Sequence, residues 1–211
     1  MFFEILLEGG ADVPTIRNIL ENRFALIEGE DFRIHPHRGK GSLPENPLQR
    51  PEINHRGLLD QLPAKLRGYG RSLDRNYCVV VIVDADDDDC KELKQKLVAL
   101  YDSLPTKPPV VLFRIAVEET ESWFLADPEA IRHAFPSAKI YKIQGIEPDQ
   151  VVGAWERLAE CLGKRPEDCD GRDKLEWGIK ISPHLLLQPP ASPSLAALLN
   201  GIDKILNGED Q

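Results

Sequence analysis

The sequence predicts an α/β fold: a three-layer arrangement in which a parallel βαβαβαβ sheet lies between helices, followed by a mostly helical C-terminal extension. Three observations predict it. Val79, Val80, Val81, Ile82 and Val83 form an unbroken β-branched run, the signature of a central parallel strand. Strand-sized apolar segments alternate with segments of helical spacing as far as Val117. Beyond Glu118 helical spacing continues alone.

Taken in order, residues 1–8 are apolar through Phe2, Phe3, Ile5, Leu6 and Leu7, as in a strand buried on both faces, and Gly9-Gly10 stops it. Asp12 then reads as an N-cap with Pro14 in the first turn, and Val13, Ile16, Ile19 and Leu20 have helical spacing. Phe32 and Ile34 alternate in a second strand over residues 30–37. Residues 37–54 are rich in Pro, Gly, Arg and Lys and read as a long functional or mobile loop. A helix to about Arg71 should turn Leu58, Leu59, Leu62 and Leu66 inward, with Pro63 kinking or splitting it.

The third strand is Tyr77 to Asp84. Residues 90–104 put Leu93, Leu97, Leu100 and Leu104 on one helical face, and residues 110–117 make the fourth strand. Helices are then expected near residues 120–125, 128–135, 148–161 and 194–206, with 188–193 as a linker. The organisation expected is an α/β core over residues 1–127 and a helical extension over 128–211 packed on the same domain.

The composition, 42% hydrophobic and 29% charged in 211 residues, is that of a soluble globular protein. No apolar run approaches the ~20 residues that span a bilayer. The start, Met-Phe-Phe-Glu, lacks a basic n-region, so a cytoplasmic location without membrane association is expected. The four cysteines show no C-x-x-C spacing, and Cys78 and Cys90 read as core and helix-end residues around the third strand. A net charge of −9 excludes a broad basic face for nucleic acid, but not a nucleic-acid substrate. There is no G-x-S-x-G and no Walker-type loop.

Parallel α/β sheets gather ligands beyond the carboxyl ends of their strands. Acids occur at three such ends: Glu8 after the first strand, Asp84 and Asp86 at the third, and Glu118, Glu119 and Glu121 after the fourth. With strand order 2-1-3-4 the first and third strands are neighbours and their tips form the switch point. Asp84 and Asp86 are i and i+2, so in an extended segment both carboxylates point one way, with Cα atoms roughly 6.5–7 Å apart. Converging carboxylates repel unless a cation joins them, and hard oxygen ligands favour Mg²⁺ or Mn²⁺. Glu8, Asp84, Asp86 and Asp88 are the candidate metal ligands. Two metals ~3.5–4 Å apart would serve in-line displacement at phosphorus.

Structural explanations compete at several of these positions. Asp87 and Asp89 precede a helix, where capping and the helix dipole favour acids. They do not explain Asp84, which ends a fully apolar strand. Glu118, Glu119 and Glu121 fit a solvated helix start as well as a site. Arg38 and Lys40, flanked by glycines, can reach an anionic substrate, counter the acids or simply be solvated. Trp123 reads as core, and His35 and His37, at a strand end, carry no assignment.

Four segments in order resemble a known pattern: Leu7-Glu8-Gly9-Gly10-Ala11-Asp12, Arg38-Gly39-Lys40-Gly41, Asp84-Ala85-Asp86-Asp87-Asp88 and Glu121-Ser122-Trp123-Phe124-Leu125-Ala126-Asp127. They look like an uncharacterised prokaryotic Toprim-like family related to OLD-type nucleases. Its members are often encoded beside an AAA-type ATPase in phage-defence settings. The resemblance runs over about residues 1–127. It implies a Toprim-like fold, Asp84 and Asp86 as Mg²⁺ ligands, Glu8 as acid/base or metal-linked glutamate, and Glu121 as an auxiliary acid. The candidate catalytic set is therefore Glu8, Glu121 and Lys40. A tyrosine-bearing winged helix and a zinc module are not evident, which sets topoisomerase and primase activities aside.

The leading expectation is a Mg²⁺-dependent phosphodiesterase, a nuclease acting on DNA or RNA with an ATPase partner. The alternatives are a non-catalytic partner subunit with a structural Mg²⁺ site and, because Asp84-Ala85-Asp86 also resembles the Asp-x-Asp of nucleotide-sugar transferases, glycosyl transfer.

Overall fold

The computed structural model describes residues 1–86, 88–117 and 119–209. Asp87 and Glu118, both weighed above as helix-start acids, lie outside the described residues. Four strands, β1 (Phe2–Leu7), β2 (Phe32–Pro36), β3 (Tyr77–Asp84) and β4 (Val111–Ala116), form one sheet in the order β2-β1-β3-β4. β1 is parallel to both neighbours, with Leu7 opposite Pro36 on one side and Ile82 on the other. The hydrogen bonds from Val79 N to Val110 O and from Ala85 N to Ala116 O advance together along both strands, so β4 is parallel as well. Between the strands the chain forms α1 (Val13–Phe24), α2 (Leu58–Ser72) and α3 (Cys90–Ser103). No described helix is long and apolar enough to cross a membrane.

The chain divides into two compact units interleaved in sequence: Met1–Gly10, Leu26–Val83 and Asp88–Ile115 form the first, and Ala11–Ala25, Asp84–Asp87 and Ala116–Gln211 the second. In the first, the sheet unit, Leu6, Val79, Val81, Val83 and Phe113 meet Leu58, Leu62 and Leu66 of α2 and Leu93, Leu97 and Leu100 of α3 in one apolar cluster. Each fully buried aliphatic side chain there stabilises by about 1.5–3 kcal/mol relative to exposure. Cys78 is buried within β3 and Cys90 is the first residue of α3, the two positions expected of them.

The second, helical unit contains α1, α4 (Glu121–Leu125), α5 (Pro128–Ala134), α6 (Ala154–Cys161), α7 (Gly171–Ile181) and α8 (Pro193–Leu206). Its core gathers Phe124, Ile131, Leu158, Trp177 and Ile181. Trp123 is buried and donates Nε1–H to Ser194 Oγ at 2.8 Å, a core residue with its one polar atom satisfied.

Several expectations need correction. Pro63 does not split its helix: α2 runs through it, because losing one N–H donor is offset by the continuous burial of Leu58, Leu59, Leu62 and Leu66. The single helix expected over 148–161 is a 3-10 turn, Pro148–Gln150, followed by α6, since Gly153 at φ 72 takes the left-handed conformation between them. Asp12 sits at the N-cap position of α1, yet its side chain makes no cap bond. α7 lies where the sequence predicts no helix.

Candidate functional site

The sheet unit carries Glu8, Lys40 and Asp88. Glu8 follows β1 directly, and its carbonyl accepts the Gly39 N–H at 2.8 Å. Gly39 and Lys40 in turn offer their carbonyls to Leu58 N (2.8 Å) and Leu59 N (2.7 Å), which satisfies two N–H groups at the start of α2. Asp60, in the first turn of that helix, accepts from Gly57 N at 3.0 Å and Ser42 N at 3.1 Å. Gly41 has φ 67, and a Cβ there would collide with the Asp60 carboxylate. The Arg38-Gly39-Lys40-Gly41 segment is therefore a built turn clamped to a helix end. It holds Lys40, whose side chain is 16% exposed, with Nζ 2.8 Å from Asp88 Oδ2. That hydrogen bond and the ammonium charge keep the Asp88 carboxyl below the usual aspartate range. Asp89 caps α3, accepting from Lys91 N at 2.8 Å and Glu92 N at 2.9 Å, and these bonds lower its pKa. The capping explanation holds for Asp89.

The helical unit carries Asp84, Asp86 and Glu121. Asp84 is the last residue of β3 and is half-buried. Asp86 departs from expectation. The strand stops at Asp84 and Asp86 adopts φ 48, so Asp84 and Asp86 do not lie in one extended segment with parallel carboxylates. Ala85 N is held by Ala116 O at 2.8 Å, and the chain turns out of the sheet immediately afterwards. A left-handed Asp is uncommon but tolerated, because its short side chain bonds locally.

Glu121 is 5% exposed and belongs to a cluster the sequence reading did not assemble. Lys174 Nζ of α7 lies 3.1 Å from Glu119 Oε1 and 3.6 Å from Glu121 Oε1. The other oxygen of Glu119 accepts the Trp155 N–H at 3.0 Å. Thr120 Oγ1 donates to Asp12 Oδ1 at 2.7 Å, which is why Asp12 does not cap α1. Burial, opposed by Lys174 and reinforced by Glu119 and Asp12, pushes the Glu121 carboxyl up to about 7. Burial likewise raises Asp12. Lys174 is disfavoured by its own burial, but Glu121 and Glu119 overcome this and hold its pKa above the ordinary lysine value, with Asp84 adding to the effect.

Lys174 and Asp12 are the site residues that sequence reasoning missed. The signal for α7 was present: Asp170 and Asp173 form a reciprocal capping pair, and Trp177 and Ile181 follow at helical spacing. The carboxylate chemistry suits Mg²⁺. Among the described residues, however, no group of three or more His, Cys, Asp or Glu side chains is arranged to hold a metal ion.

The fold and these sites define an α/β protein with a parallel sheet and a buried acid–lysine cluster in its helical unit. A family profile described as Domain of unknown function (DUF4276) matches residues 8–203, and the chain belongs to that family. No curated protein and no solved structure matches it.

Proposed function

We propose that the protein is a Mg²⁺-dependent phosphodiesterase, a nuclease of Toprim-like type, whose candidate oxygen donors, Glu8, Asp84, Asp86 and Asp88, a bound metal would have to draw together. The observation that carries this reading is the sheet order: β1 and β3 are parallel neighbours, and each is closed by an acid at its carboxyl end. Bound there, Mg²⁺ or Mn²⁺ would supply Lewis acidity toward a scissile phosphate and lower the pKa of a water. The chain's own residues have separate tasks. Glu8 is the candidate general base, Lys40 a cation for the substrate's phosphate, and Glu121, poised near neutrality, a carboxyl able to hold or release a proton. The resemblance adds an AAA-type ATPase as partner, and the cytoplasm is the setting expected from the sequence's composition and first residues.

The test is incubation of purified protein with Mg²⁺ or Mn²⁺ and a panel of single- and double-stranded DNA and RNA, beside Asp84→Asn. Metal-dependent cleavage that falls at least about 100-fold in the variant is expected, as for loss of a group acting on the transition state. Cleavage at the wild-type rate by Asp84→Asn would overturn the assignment. The Lys40–Asp88 ion pair favours a second reading, a non-catalytic partner subunit, because it neutralises one proposed ligand from within the chain. Metal binding by calorimetry without cleavage of any substrate, alone or with the ATPase, would select it.

A further inference from the structure

Away from the acids, the sheet unit has a groove of about 720 Å³ at the end of β2, lined by His35, His37, Arg38, Ile53, Arg56 and Lys65 among others. Its lining has three basic side chains, Arg38, Arg56 and Lys65, against one carboxylate, Glu52, in a chain whose net charge is −9. The cations have donors to spare. Among the described residues, Arg56 uses only Nε, on Ile53 O at 3.1 Å. The side chains of Arg38 and Lys65 make no hydrogen bond or ion pair among the described residues. A backbone bond from Arg38 N to Arg56 O, 3.2 Å, ties the two arginine-bearing segments side by side.

Each histidine of the groove has one ring nitrogen engaged. His35 Nε2 is 2.5 Å from Glu4 Oε2, and His37 Nδ1 donates to Leu7 O at 2.8 Å. Burial lowers the Lys65 pKa, with Glu4 acting the other way, so an anion brought beside it would favour its charged form.

Cations crowded in one concavity repel each other, and a bound anion relieves that repulsion. Guanidinium groups match phosphate oxygens in planar, bidentate geometry. Ile53 is 83% exposed at the rim, an apolar surface for a base beside the cationic floor. Three basic side chains lining one groove suit a single strand better than a duplex. We propose that this groove binds the backbone of a single-stranded nucleic acid, with Arg38, Arg56 and Lys65 on phosphate oxygens and Ile53 against a base. The choice of a nucleic acid over other phosphorylated ligands rests on the phosphodiesterase reading.

The experiment is fluorescence anisotropy of labelled 12-nucleotide dT and U strands with the full chain in EDTA, across a salt series. Arg56→Gln/Lys65→Gln should weaken binding at least about tenfold and reduce the log–log salt slope by about 0.7 for each charge removed. Arg75→Gln, the same charge change outside the groove, should leave binding intact. The exposed pair Arg38→Gln/Arg56→Gln repeats the test without altering half-buried Lys65. Unchanged affinity in both folded double variants, or an equal loss in Arg75→Gln, would overturn the proposal. So would binding of inorganic phosphate without any oligonucleotide. EDTA prevents metal-dependent cleavage, so a failed phosphodiesterase reading appears only as missing cleavage when metal is present. A failed groove appears only as binding indifferent to its cations.

Discussion

Asp88 and Asp89 of the sheet unit and Asp12 and Glu121 of the helical unit are the same chemistry in opposite surroundings. The first pair is solvated and served by Lys40 and by the N–H groups at the start of α3, and both pKa values fall. In the second pair Glu121 is buried and Asp12 half-buried, both face the lysine that Glu119 holds, and both pKa values rise. Residue type therefore does not set protonation here. The number of donors facing each carboxylate, weighed against its loss of water, does. Stability linked to the first pair grows as the acids ionise, whereas ionising the second costs stability.

The largest test of this contrast is Lys174→Met. It removes the cation that faces Glu119 and Glu121 while keeping much of the side-chain volume, and chemical denaturation at pH 8 should show a loss of about 3 kcal/mol. An unchanged midpoint would mean that the cluster is solvated like its counterpart.

Glu121 carries the same contrast into pH dependence. Its folded pKa of about 7 lies above its ordinary 4.5, so between these values the folded state binds more protons than the unfolded one. Its stabilising contribution is complete below about 4.5 and is lost as pH rises through about 7, a change on the order of 3 kcal/mol. Glu121→Gln should flatten that part of the stability profile, measured by urea unfolding from pH 4.5 to 8. Persistence of the full slope in the variant would assign it elsewhere.

The smallest effect belongs to the solvated side. Asp89→Ala deletes the cap of α3 and should lower Tm by a few degrees at pH 7. The difference from wild type should shrink as pH falls through the lowered pKa of Asp89, the opposite trend to that of Glu121. A difference that grows on acidification would show that the cap does not depend on the ionised carboxylate.

Much of the fold was legible residue by residue. The run from Val79 to Val83 placed β3, and the strand order needed for neighbouring β1 and β3 is the order observed. The leucines of α2 and α3 are buried as their spacing required. Half of the site geometry was not legible. The Asp84-Ala85-Asp86 motif looked extended, but Asp86 turns to positive φ once β3 ends. Arg38-Gly39-Lys40-Gly41 looked like an open loop, but its carbonyls and glycines fit the N-terminus of α2 and Asp60.

Strand, helix and cap are written in short-range signals: β-branched runs, apolar spacing, an Asp before a helix. Those signals act between residues a few positions apart, so reading along the chain recovers them. The acid–lysine cluster joins Asp12 to Thr120 across 108 positions and Lys174 to Glu119 across 55. No local pattern encodes such pairings. Packing of the helical core around Trp177 brings α7 to α1, and only that burial decides which carboxylate loses its water and which keeps it.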